Sequence, residues 1–99
     1  MQQQPSVGRI VHVLVDPKKN NGSPVAPAII TRVWAPCDAP HTDASGAGAY
    51  CVNLKIFYDG EAAPGYATSA YLFSNEDAAH TSLGKGAMVG SVCFWPPKA

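Results

Sequence analysis

Charge is scarce in this chain. Acidic and basic residues together make up 14% of its 99 residues, and seven of each cancel to a net charge of zero. The usual charged share is about 25%. A neutral chain lacks the positive field that draws phosphate backbones, so nucleic acid is not an expected partner. Long apolar runs are absent too. Nothing approaches the roughly 20 residues of a membrane span. The opening MQQQPSVGRIVHVLV has no basic leader, and Arg9 and His12 interrupt its apolar residues, so it does not read as a signal peptide. The expectation is a soluble protein made in a cytosol, with no membrane partner. Cysteine is sparse and odd in number. Cys37, Cys51 and Cys93 do not all pair within one chain, and free thiols are expected.

Signatures of chemistry are missing as well. Structural zinc sites usually show a Cys-x-x-Cys spacing, and none is present. Cys37, His41 and Asp43 sit together in CDAPHTD, and Cys51, His80 and Cys93 could join them, but loop polarity accounts for His41 and Asp43 equally well. No metal and no other cofactor is expected. There is no Gly-x-Ser-x-Gly elbow and no local cysteine-hydrolase signature. Asp59 and Glu61 read as a turn acid beside a loop acid. No nucleophile, base and orienting group can be named together, so no enzyme and no catalytic residue is expected. His12 lies among apolar neighbours, where a neutral imidazole bonded to backbone is the ordinary state.

What the chain does have is strand-like alternation. Apolar residues make up 46% of it, enough for one small core. No window sustains a helical period, whereas several alternate with a period of two between Gly, Pro and Asp. Strands are expected over residues 7–15 (VGRIVHVLV), 28–35 (AIITRVWA), 50–58 (YCVNLKIFY), 66–73 (YATSAYLF) and 91–95 (SVCFW). The third is the clearest. Tyr50, Val52, Leu54, Ile56 and Tyr58 share one face, and Cys51, Asn53, Lys55 and Phe57 share the other. Asp59-Gly60 supplies the turn that follows it. In SNEDAAHTSLGKGAMVG, Ser74 or Asn75 can cap at most two turns of helix, with Glu76 and Asp77 at its positive end and Gly84 or Gly86 at its close. Five short strands in about a hundred residues suggest an all-β five-stranded barrel, SH3-like or OB-like, with long polar loops. Residues 1–6 form an N-terminal arm, and residues 7–99 form the single domain.

Contact residues follow from this layout. Low charge with ordinary hydrophobicity fits a surface packed against a partner. Arg9 and Arg32 each interrupt an apolar strand, either as solvent-facing positions or as interface anchors, a role in which Arg is enriched. Phe57 and Tyr58 fall on opposite faces, so one aromatic points away from the core. Phe94 and Trp95 do likewise, with Pro96 stopping the ladder after them. One of these two rings enters the core, and the other covers an end or meets a partner. Stacking of bases needs rings on one open face with basic neighbours, and Arg32 and Lys55 are the only basic residues in the middle strands. The arm cannot build a core of its own. The candidate partner-binding set is therefore Gln2, Gln3, Gln4, Pro5, Arg9, Arg32, Phe57 and Trp95.

Four motifs in order carry a resemblance: VGRIVH at residues 7–12, RVW at 32–34, VNLKIFYDG at 52–60 and Trp-Pro-Pro at 95–97. The chain resembles a family of small tailed-bacteriophage proteins. Members open on Gly-Arg-Ile-Val-His, carry Arg-Val-Trp and Val-Asn-x-x-Val-Phe-x-Asp-Gly, and close on a Trp-x-Trp-Pro-Pro-like segment. The match spans the strands and not the loops. Val13 stands where a Tyr is common, Cys93 stands where the first closing Trp is expected, and the loop before Gly90 is long. The resemblance implies a phage origin, brings no catalytic residues with it, and leaves activity open. Size and architecture add the expectation of a structural virion protein on the capsid surface, a decoration or accessory protein. Its partners would be the major capsid protein, other virion subunits or its own copies. The alternative is an intracellular phage protein-binding module without catalytic activity.

Overall fold

Alternate residues of each apolar stretch turn inward and close a barrel. The computed structural model describes residues 5–36, 50–60, 63–84 and 89–96. The strands are β1 (Ile10–Leu14), β2 (Val25–Pro36), β3 (Tyr50–Ile56), β4 (Gly65–Phe73) and β5 (Val92–Phe94). The helix α1 (Glu76–Gly84) joins β4 to β5. The closed barrel takes the order β1-β2-β3-β4-β5, with β5 returning to β1. All pairs are antiparallel except β4 with β5, which is parallel and needs the α1 crossover. Neighbours follow chain order all round, which a Greek-key OB-type barrel does not do.

The interior is filled from matching positions. Val11, Val13 and Val15 meet Ala26, Ala28 and Ile30, then Val52, Leu54 and Ile56, then Ala67, Ala70 and Leu72, and finally Cys93 and Trp95. A second cluster lies outside the wall. There α1 presses Ala78 and Ala79 onto Leu14, Phe73, Val92 and Phe94. Asn75 caps this helix as expected, its Oδ1 accepting from the Ala78 N–H at 2.9 Å. With nine residues, α1 runs slightly past the two turns expected of it.

Two boundaries differ from expectation for stated reasons. β2 begins at Val25 and passes through Pro27. Residue 27 faces His12 in a pair that exchanges no hydrogen bonds with β1, and its carbonyl accepts from the Phe57 N–H at 3.0 Å, just past the end of β3. A missing donor there interrupts no ladder. β1 begins later than expected because Gly8 and Arg9 bulge. The Gly8 N–H donates to the Ile30 carbonyl at 2.8 Å and the Ile30 N–H donates to the Arg9 carbonyl at 3.0 Å, so two residues oppose one. Gly8 has φ +93°, the left-handed value this bulge requires. Among the described residues no helix is long and apolar enough to cross a membrane.

Candidate functional site

Asn53 is the buried polar residue of β3, and both neighbouring strands distort around it. On β2, Ile30 pairs with Leu54 and Arg32 with Asn53, leaving Thr31 extra. On β4, Ala67 pairs with Leu54 and Ala70 with Val52, leaving Thr68 and Ser69 opposite Asn53. Ser69 takes φ +55°, uncommon for a residue with a side chain. That conformation aims its N–H at Asn53 Oδ1, 2.9 Å away. Trp34 Nε1 donates to the same oxygen at 2.9 Å, and Asn53 Nδ2 donates to the Tyr66 hydroxyl at 3.3 Å. Asn53 is buried with both ends of its amide bonded.

The network fixes an outer surface. The Arg32 guanidinium lies 3.8 Å from the centre of the Trp34 ring, within stacking range. Thr31, Arg32, Asn53, Lys55 and Tyr66 line an open depression of about 410 Å³. The register carries this surface across the sheet: Ile10 pairs with Ile29, Ile29 with Lys55, and Lys55 with Tyr66. Ile10, Trp34, Phe57 and Tyr66 are exposed at 56%, 39%, 42% and 60%. α1 covers the outer side of β5 and of the Tyr71–Phe73 end of β4, whereas nothing among the described residues covers this surface, to which β4 contributes Tyr66.

The sequence-derived candidates separate into groups. Arg32 and Phe57 share this outer surface, with Tyr58 turned inward against the core as its alternation required. Arg9 is elsewhere, 5.5 Å from the centre of the Trp95 ring. Pro5 is half-buried, and Gln2, Gln3 and Gln4 lie outside the described residues. The expectation that either Phe94 or Trp95 stays outward is corrected. Both are buried, Trp95 in the barrel interior and Phe94 beneath α1. The outer side of β5 is not the outside of the molecule, because the crossover helix lies on it. Trp95, 7% exposed, therefore presents almost no surface to a partner.

Trp34, Asn53 and Tyr66 were missing from the candidates. Asn53 did leave a signal, since Asn is depleted in strands and here sits between Val52 and Leu54. Among the described residues no three His, Cys, Asp or Glu side chains converge. His12 sets its ring edge-on to Phe94, with the ring centroids 5.7 Å apart. His80 meets Glu76 at 3.2 Å on the exposed side of α1. Cys93 faces the interior, where burial pushes its thiol far above the ordinary range and its Sγ donates to the Tyr71 carbonyl at 3.5 Å. Neither Cys51 nor Cys93 forms a disulfide among the described residues. Cys37, His41 and Asp43 lie outside the described residues. Comparison with protein-family models, curated proteins and solved structures finds no match.

Proposed function

We propose that this chain is a non-catalytic binding barrel that docks on a protein partner through the outer surface of β2, β3 and β4. The supporting observation is the uncovered row of Ile10, Ile29, Lys55 and Tyr66, joined to the Arg32–Trp34 stack and to Phe57. Trp, Tyr and Arg are the residues that dominate binding energy at protein interfaces. Several apolar side chains standing out on an otherwise well-packed small domain mark a contact surface. Asn53 keeps this surface in one arrangement, which lowers the entropy lost on docking.

The partner in this reading is the shell of a tailed-phage particle, with the chain as a decoration or accessory protein. That part rests on the sequence resemblance and on size. Burial of several hundred Å² of apolar surface per copy contributes on the order of 10 kcal/mol before entropy costs, and repetition over a shell multiplies it. The test is mass spectrometry of purified particles from cells expressing the chain. Peptides of this protein at a copy number comparable to a shell subunit are expected. Their absence from particles, with the protein plentiful in infected cells, overturns the particle reading in favour of an intracellular binding module.

A further inference from the structure

Among the described residues the strands of the outer surface carry cations and no carboxylate, and this constrains what it binds. None of the five strands contains Asp or Glu. Among the described residues the acids are Asp16, Asp59, Glu76 and Asp77, which belong to the loops after β1 and β3 and to α1. Arg32 and Lys55 both line the depression, and neither forms a salt bridge among the described residues. Lys55 lies two residues from Asn53 along β3, on the same face, so its Cα is about 7 Å from that of the residue paired with Arg32.

Arg32 is also held. Its guanidinium stacks on Trp34, and Trp34 is tied through Nε1 to Asn53. A stacked guanidinium keeps its in-plane N–H groups directed outward, and the planar fork matches a carboxylate. The Thr31 and Tyr66 side chains at the margin add hydroxyl groups. Around this cationic centre the surface is apolar, with Ile10, Phe57 and the Tyr66 ring exposed.

Charge complementarity separates the occupants. A second copy docked face to face by a two-fold axis would oppose cations with cations. A nucleic-acid strand needs a track of cations along its phosphates, and two basic side chains on a neutral chain do not make one. A protein segment bearing one or two carboxylates beside apolar side chains satisfies both halves of the surface. Resting on the reading of this face as a docking surface, we propose that the depression receives an Asp or Glu of the partner, Arg32 binding it through paired hydrogen bonds and Lys55 supplying a second positive charge, with apolar neighbours of that acid seated on Ile10, Phe57 and Tyr66.

The experiment pans the full chain against a random-peptide display library and measures the selected peptides by fluorescence anisotropy. Enrichment of Asp or Glu beside Leu, Phe or Trp is expected. Replacing the peptide's acid by its amide should weaken binding by about tenfold, the loss of one charged hydrogen-bonded pair. R32Q, at an exposed position, should weaken it similarly, K55Q less, and the amide peptide should no longer distinguish R32Q from the parent. Selected peptides without acids that still lose binding on I10S/F57S overturn the carboxylate assignment and retain the docking face. Peptides insensitive to every one of these substitutions, or no selection at all, overturn both. Tighter binding of an oligothymidylate probe than of any peptide, lost in R32Q, assigns the depression to nucleic acid and overturns the proposal.

Discussion

Two buried asparagines hold backbone that has left its ladder, and each makes a separate demand on stability. Asn20, 2% exposed, donates from Nδ2 to the Ser23 and Val25 carbonyls at 3.0 and 2.8 Å and accepts from the Asp59 N–H at 2.6 Å. It thereby ties the β1–β2 loop to the turn after β3. N20A leaves these groups to find water in a partly buried site, and a loss of about 2 kcal/mol is expected from urea unfolding. N53A should cost a similar amount by the same route, since Trp34 Nε1 and the Ser69 N–H lose a shared acceptor. It should also shift tryptophan emission to the red, because Trp34 is released while Trp95 stays buried. Cys93 makes a demand of another kind. Its folded thiol is held neutral by burial, whereas the unfolded thiol ionises around its ordinary value of 9.0. The folded state then binds more protons than the unfolded state. Stability contributed by the neutral thiol is full below pH 9 and falls as pH rises above it, by at most about 1.4 kcal/mol per pH unit. C93A should lower stability at neutral pH and flatten this alkaline slope, which unfolding series from pH 8 to pH 10 will read.

At the scale of the elements, β5 explains most of the difference between expectation and structure. The short strand VCF is buried on both sides, by the barrel interior through Cys93 and by α1 through Val92 and Phe94. Sequence alternation correctly placed Phe94 and Trp95 on opposite faces. It could not show that a crossover helix would cover the second face, because that depends on β4 and β5 being parallel. F94A and W95A should therefore both destabilise the fold, by about 3–5 kcal/mol each, in thermal or denaturant melts. An unchanged melting temperature for either variant would mean that its ring is not packed as described. Other parts of the layout were legible because their causes are local. The alternation of β3 fixes which face is inward, and Asn75 with its acidic first turn marks the start of α1. The bulges were not legible, since a bulge is a property of register between strands. That is also why the outer surface escaped notice. Arg32 and Phe57 could be singled out one at a time, but only the pairing of Asn53 with two distorted neighbours brings Trp34, Arg32 and Tyr66 together.

The whole molecule has two unequal outer sides, and this bears on what the N-terminal arm does. One side is sealed by α1. The other is the open row from Ile10 to Tyr66. Regular structure begins close to residue 6, whose carbonyl accepts from the Arg9 N–H at 3.2 Å in the turn that leads into the Gly8 bulge. Residues 1–4 precede every bond of that turn, so a cut there removes none of them. In the proposed reading, the arm lies across a neighbouring shell subunit while the barrel docks through its open side. The chain lacking residues 1–4 should melt as the full chain does and bind particles more weakly in co-sedimentation. R32Q should also weaken sedimentation, and its defect should shrink as salt rises, because the attraction between solvent-exposed charges is screened over about 10 Å at 0.1 M salt. The truncation removes no charged side chain, so its defect should persist at all salt concentrations. Equal binding by the truncated and full chains would remove the arm from the interface and leave the outer surface of β2, β3 and β4 as the whole of the contact.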